Sequence, residues 1–128
     1  MIQDLKTFFA NQKDVQLAFA FGSLAANKMR FNSDVDIAIL KEEPLTLDER
    51  IAFMNELAEV TKTDVDLIDL FFEEGLLLKE VMTTGEILLC QSESALLYLN
   101  QRVFSFSEDF EPTYRLMLKQ SLFKYSSV

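Results

Sequence analysis

The sequence predicts one α/β (α+β) domain in which a mixed β-sheet of about four strands is flanked by helices. Three observations predict this fold class. The chain has 128 residues, 49% of them hydrophobic, which suits a single domain with a substantial core. Apolar residues at helical spacing alternate along the chain with short apolar runs that are typical of strands. The three glycines and two prolines are scattered, so no linker divides the chain.

Helices and strands alternate in the order α-β-α-β-α-β-α-β-α-α. Apolar periodicity predicts helices at 2–9, 24–28, 46–60, 73–84, 92–104 and 112–125. Strands are predicted at 15–22, 34–40, 64–70 and 86–90. Ser23 and Pro112 suit the starts of their helices, and Gly85 suits a C-cap. We expect one domain over 1–128, with its core at about 15–90 and a C-terminal helical segment at 92–128.

Alternation along the first strand gives it two different faces. One face carries the larger side chains of Val15, Leu17, Phe19 and Phe21. The other carries Gln16, Ala18, Ala20 and Gly22. Because the second face is small, we expect another element to pack closely against it.

Charge and residue usage exclude several classes of function. The net charge is −9, whereas binding to nucleic acid or to an anionic membrane requires clustered Lys and Arg, so neither partner is expected. No apolar run approaches the ~18 residues of a membrane span, and residues 1–14 lack the pattern of a signal peptide. We therefore expect a cytoplasmic protein.

The chain has no histidine and a single cysteine, Cys90, which lies in an apolar run. The commonest general base and the commonest zinc ligand are therefore absent, and an intrachain disulfide is impossible. Any bound metal would be a hard ion held by oxygen ligands, which means Mg²⁺ or Mn²⁺.

The clearest chemistry lies in Gly22-Ser23 and, ten residues later, in Asp34-Val35-Asp36. Gly22 ends a strand and Ser23 begins a helix, and the backbone N–H groups of such a turn suit phosphate oxygens. The Ser23 hydroxyl can also donate to a phosphate. Asp34 and Asp36 share one face of a strand, with Cα atoms about 6.6 Å apart. Burying two carboxylates on so apolar a strand is costly unless opposite charge offsets them. Two bound cations about 3.5–4 Å apart would supply that charge.

A third acidic strand, DVDLIDL at 64–70, supplies a further carboxylate. Asp64 and Asp66 share a face, whereas Asp69 points the other way. If this strand lies beside the 34–40 strand, Asp66 can complete a triad and accept the proton of an attacking hydroxyl, with Asp64 as the alternative. Asp69 is expected to be a solvated residue or a helix N-cap.

The pattern Gly22-Ser23, ten residues, Asp34-Val35-Asp36-Ile37 resembles the signature of the DNA polymerase beta-like nucleotidyltransferase superfamily, over roughly residues 15 to 90. The short chain is similar to the minimal nucleotidyltransferases, including the antitoxins of HEPN–MNT toxin–antitoxin pairs. The resemblance implies the nucleotidyltransferase fold and a site with two Mg²⁺ ions on Asp34, Asp36 and Asp66. It also implies transfer of AMP from ATP to a tyrosine hydroxyl of a HEPN ribonuclease toxin, which silences the toxin.

The sequence departs from the family pattern directly after Gly22-Ser23. Many relatives carry a basic residue there and a glycine shortly beyond, whereas this chain has Leu-Ala-Ala-Asn at 24–27. Lys28 and Arg30 lie in the following loop and are candidates for the missing phosphate contact. A solvated loop is the alternative for both.

Two other functions stay open at this point. One keeps the chemistry and changes the acceptor to a small molecule such as an aminoglycoside, although the chain is short for the additional acceptor-binding domain of such enzymes. The other is a non-catalytic antitoxin that blocks its partner by occlusion.

Overall fold

The computed structural model describes the backbone of residues 1–22, 34–73 and 75–106, and side chains as far as Val103. The elements are α1 (Ile2–Ala10), β1 (Val15–Phe21), β2 (Val35–Lys41), α2 (Leu47–Thr61), β3 (Val65–Asp69), α3 (Gly75–Thr84), β4 (Glu86–Cys90) and α4 (Glu93–Phe106). Within these ranges the predicted order is confirmed. The helices expected at 24–28 and 112–125 lie outside the described residues. None of the helices described is long and apolar enough to cross a bilayer.

The strands form one mixed sheet in the order β3-β2-β1-β4. β1 pairs antiparallel with both β2 and β4, whereas β2 and β3 pair parallel. The predicted mixed sheet is therefore confirmed. β1 and β2 are the central strands, and because both of their faces are covered, their sequences are nearly continuous apolar runs.

Helices cover both faces of the sheet. The face covered by α3 and α4, here the α3/α4 face, has a core that includes Leu17, Phe19, Phe21, Leu78, Val81, Leu96 and Leu99. The opposite α1/α2 face has a core that includes Leu5, Phe9, Ala18, Ala20, Ile37, Ile39 and Leu57. The small face of β1 therefore lies under α1, as its small side chains predict.

A β-bulge corrects the predicted faces of β1. The register with β2 shifts between Val15 and Leu17, so these two residues do not share a face. Val15 packs into the core of the α1/α2 face, whereas Leu17 packs into that of the α3/α4 face. Simple alternation could not predict this, because an extra residue in one strand reverses the side on which the preceding residues lie.

Gly85 follows α3 as predicted, but it is not a left-handed C-cap. The glycines with positive φ in the described residues are Gly22 and Gly75. A Cβ atom at Gly85 would lie 2.3 Å from the Val81 carbonyl oxygen and 3.3 Å from that of Ala20. Glycine is required here because a Cβ atom would clash with the last turn of α3, and the backbone of β1 is also close.

Helix α2 begins with a capping box. The Thr46 hydroxyl accepts from the Glu49 backbone N–H at 3.1 Å, and the Glu49 carboxylate accepts from the Thr46 N–H at 3.0 Å. One turn later, Arg50 Nη1 donates to the Leu67 carbonyl oxygen at 2.7 Å. This bond joins α2 to the outer edge of β3, the last strand on that side of the sheet.

Asp69 is buried, and the prediction of a solvated residue or helix cap is wrong. Its side chain is on the last residue of β3, with a residue exposure of 8%. Its two carboxylate oxygens accept from the backbone N–H groups of Leu45 at 2.9 Å and Phe71 at 3.0 Å. A single carboxylate therefore ties the loop before α2 to the loop after β3. Because Leu45 is distant in sequence, local pattern does not reveal this role.

We expect Asp69→Ala to lower the free energy of unfolding by about 1–3 kcal/mol, because two backbone N–H groups lose their acceptor. Urea denaturation followed by circular dichroism measures this change. Asp14→Ala, at an exposed turn position, is the control and should change stability by less than about 0.5 kcal/mol. Equal stability of the two variants would contradict the anchoring role of Asp69.

Candidate active site

The sheet topology brings the predicted carboxylates to one end of the sheet. β2 and β3 run parallel, and their register pairs Asp36 with Asp66. Paired Cα atoms of neighbouring strands lie about 5 Å apart, so these two carboxylates are neighbours. Asp34 directly precedes β2 and is exposed at the same end. The condition for the Asp66 assignment, that its strand lies beside β2, is therefore met.

Gly22 directly adjoins the Asp36 carboxylate. β1 runs antiparallel to β2, so its last residue, Phe21, pairs with Asp36 from the other side. Gly22 follows with φ of 67°, and a Cβ atom built on it would lie 2.3 Å from Asp36 Oδ2. The backbone after β1 therefore passes within contact distance of the carboxylate. Only glycine satisfies both the left-handed φ and this close approach.

Three of the predicted nucleotide contacts fall in a part of the chain that the structure does not describe. Ser23, Lys28 and Arg30 lie outside the described residues. The described part of the predicted site thus consists of Gly22 and of the three carboxylates Asp34, Asp36 and Asp66.

The paired carboxylates project toward the α3/α4 face. Phe21 belongs to the core of that face, and directly paired residues of neighbouring strands project to the same side. Glu80 on α3 adds a fourth negative charge, close enough to act on Asp36. Glu80 is not among the site residues that the sequence predicts. The sequence places Glu80 next to Val81, on the apolar side of the predicted helix, and this could have indicated that Glu80 lies near the sheet. The sequence does not show which end of the sheet α3 crosses.

The half-buried Asp36 carboxyl lies in an unfavourable electrostatic environment. Burial raises its pKa above the ordinary value, and the negative charges of Asp66, Asp34 and Glu80 raise the pKa further. The folded chain therefore holds this proton to higher pH than the unfolded chain. As pH rises from the ordinary aspartate range through the raised pKa, the folded state loses stability, because the unfolded chain ionises at lower cost.

We expect Asp36→Asn to stabilise the metal-free chain at neutral pH. The variant removes the charge that burial and three acidic neighbours disfavour. Allowing for solvent screening, the gain is on the order of 0.5–1 kcal/mol, and it should vanish below the ordinary aspartate pKa. Thermal unfolding in EDTA at several pH values measures it. Asp14→Asn makes the same change in net charge at an exposed position and is the control. If Asp36→Asn lowered the stability of the metal-free chain, the charge of Asp36 could not be the unfavourable feature of this site.

The chemistry of these residues fits a hard divalent cation. All the candidate ligands are carboxylates, which Mg²⁺ prefers. The ion pairs of the described residues join Lys6 to Glu86, Lys41 to Glu49 and Lys62 to Glu59, so the site carboxylates take no part in them. The described side chains do not converge into a ready group of three metal ligands. The site therefore fits a hard cation in two respects: its ligands are all oxygen donors, and its negative charges lie close together.

Comparisons with known proteins show the family of this chain. The family described as "Polymerase beta, Nucleotidyltransferase" matches residues 3–94. The chain is also 34% identical, over 82 residues, to the protein adenylyltransferase MntA of Shewanella oneidensis. That alignment covers 64% of this chain and 59% of MntA, so it spans less than two thirds of the relative.

Solved structures confirm the fold. A crystal structure of a toxin–antitoxin with AMP-PNP superposes with a TM-score of 0.69 at 24% identity, covering 93% of this chain and 98% of that one. A tri-AMPylated Shewanella oneidensis HEPN toxin in complex with MNT antitoxin gives a TM-score of 0.64 at 23% identity, covering 95% and 99%. At these identities the similarity shows that the mixed sheet and its helices have the nucleotidyltransferase arrangement.

Proposed function

Because this chain belongs to the polymerase beta nucleotidyltransferase family, we propose that it is a Mg²⁺-dependent antitoxin that transfers AMP from ATP to a tyrosine hydroxyl of a HEPN toxin. The observation that carries this proposal is the pairing of Asp36 with Asp66, with the Gly22 backbone against Asp36. The relative MntA is a protein adenylyltransferase, and a similar structure holds an AMPylated HEPN toxin. Dependence on ATP suits a cytoplasmic protein.

In the proposed reaction the acceptor hydroxyl oxygen attacks the α-phosphorus of ATP. The new bond joins that oxygen to phosphorus, the bond from phosphorus to the bridging oxygen of the β-phosphate breaks, and diphosphate leaves with the electron pair. The hydroxyl proton passes to the Asp66 carboxylate or to a water beside it. The backbone at Gly22, with Ser23, holds the triphosphate, and Lys28 and Arg30 are further phosphate contacts.

Asp34, Asp36 and Asp66 are the residues that would hold Mg²⁺ in this proposal. Bound there, the cation would offset negative charge on the phosphates and lower the pKa of the attacking hydroxyl. The carboxylates themselves orient the reacting groups. Because Asp34 and Asp66 are exposed, an acceptor can reach them from solvent. Mn²⁺ meets the same requirement for oxygen ligands.

The direct test uses labelled ATP, Mg²⁺ and a candidate HEPN protein from the same genome. We expect label on a tyrosine of the HEPN protein, located by mass spectrometry, together with loss of its ribonuclease activity. Modification of an aminoglycoside without any protein partner would support the small-molecule alternative instead. Loss of ribonuclease activity with no label on the toxin would support occlusion.

Asp66, rather than Asp64, is the third carboxylate in this proposal, because it is Asp66 that pairs with Asp36. Asp64 precedes β3, and its carbonyl oxygen accepts from the Val35 N–H at 3.0 Å. We expect Asp66→Asn to lower the rate of AMP transfer by about 10²-fold or more. Asp64→Asn makes the same charge change on the same face and should lower it by less than about fivefold. A greater loss from Asp64→Asn would reverse the assignment.

A further inference from the structure

A cavity of ≈ 450 Å³ opens on the α3/α4 face, at the end of the sheet away from the carboxylates. It is lined by the last residues of β2, by Phe71 after β3, and by Ala95, Tyr98 and Arg102 of α4. From Asp36 to Lys41 the strand rises about 17 Å. This cavity is therefore separate from the candidate active site but lies on the same face of the sheet.

Arg102 is a cation in this cavity without an acidic partner among the described residues. Its guanidinium donates to the Glu73 carbonyl oxygen and lies 5.6 Å from the centre of the Tyr98 ring. Within the described ranges no ion pair includes it. Lys41, the other cation of the lining, is paired with Glu49. Because a guanidinium has five N–H donors, Arg102 retains donors in a geometry suited to a carboxylate.

Exposed aromatic side chains lie in the lining of the cavity and next to it. Tyr98 is 59% exposed and Phe72 is 68% exposed, and the Phe72 ring lies edge-on to that of Phe71 at 5.0 Å. Exposed aromatic residues beside an arginine are the combination enriched at the energetic centres of protein interfaces.

We propose that this surface, formed by Phe71, Phe72, Tyr98 and Arg102, docks the acceptor protein through an apolar side chain flanked by a carboxylate. The apolar side chain would enter the cavity between Phe71 and Tyr98, and the carboxylate would pair with Arg102. The choice of occupant follows from the charge at Arg102, and it rests on the proposed function, in which a folded protein is the acceptor. Glu42 at the rim would disfavour a partner with a second acid there.

The placement suits a protein substrate. A standard interface buries about 800 Å² on each partner, so a protein docked on this surface extends far enough to bring a hydroxyl to the carboxylates about 17 Å away. Docking at one end of the sheet leaves the other end open for ATP and the acceptor hydroxyl. Affinity and chemistry would therefore depend on different residues, which makes them separable by mutation.

The test measures the dissociation constant of the chain and its HEPN partner by calorimetry, with ATP binding measured in parallel. We expect Tyr98→Ala and Arg102→Gln each to raise the dissociation constant at least about tenfold, and Arg102→Gln also to weaken its salt dependence. ATP binding should not change. Ile51→Ala removes an apolar side chain of 48% exposure from α2, on the opposite face, and should stay within about twofold.

If both variants bind the partner as tightly as the unchanged chain, the inference is overturned, even where AMP transfer proceeds. If they lose binding but the unchanged chain never labels its partner, the docking surface stands and the proposed function fails. Sedimentation of the chain alone tests whether a second copy of the chain occupies this surface instead. A self-associated chain that Tyr98→Ala converts to monomer would assign the surface to a second copy and overturn the inference.

Discussion

The double variant Asp34→Asn with Asp36→Asn is expected to lower AMP transfer on the order of 10³-fold or more, to the limit of detection. Asparagine keeps the size of each side chain and removes the charge that would hold the cations. The structure puts Asp36 beside Asp66 and against Gly22, so the variant removes a charge that adjoins both of them. Labelling of the partner with radioactive ATP measures the rate.

The control is Asp14→Asn with Asp48→Asn, which makes the same change in net charge at two exposed positions. It should transfer AMP at close to the unchanged rate. Transfer by the Asp34/Asp36 variant at the control's rate would remove the catalytic assignment. Neutralisation of the toxin in cells separates the remaining alternative, because a chain that acts by occlusion would still neutralise with both aspartates replaced.

Gly22→Ala is expected to lower AMP transfer about 10²-fold and stability by about 1–2 kcal/mol. The added Cβ would lie 2.3 Å from Asp36 Oδ2, so the carboxylate or the turn must move, and the φ of 67° is itself strained for alanine. Initial rates and urea denaturation measure the two effects.

Gly75→Ala is the matched control for backbone strain. Gly75 has φ of 71° at the start of α3, so alanine should cost similar stability there. AMP transfer should remain within about threefold of the unchanged rate at temperatures where both variants are folded. Equal loss of activity in the two variants would mean that Gly22 acts through stability rather than through the position of Asp36.

Apolar periodicity and the positions of Gly and Pro predicted the helices and strands, because these patterns depend only on neighbouring residues. The apolar runs of β1 and β2 carry their own signal. The pairing of Asp36 with Asp66 could be predicted only as a condition, since strand order is set by packing across the whole sheet. Spacing alone predicted that Asp34 and Asp36 share a face.

Features that depend on distant contacts could not be predicted. Asp69 is buried because its carboxylate accepts from Leu45, far along the chain. Glu80 reaches Asp36 only because α3 crosses the sheet at that end. The bulge after Val15 leaves no signal in composition. Each of these residues has an ordinary sequence environment, and tertiary geometry alone gives it a role.

The bond from Arg50 to Leu67 has a consequence for the free margin of the sheet. Val35 donates to Asp64 and Leu70 donates to Ile39, so the intervening odd-numbered residues of β3 turn their backbone groups away from β2. Leu67 is the central one, and Arg50 already occupies its carbonyl oxygen. A strand from another chain would have to displace the Arg50 guanidinium in order to pair with this edge of the sheet. The arginine therefore hinders the pairing of a second chain with this edge of the sheet.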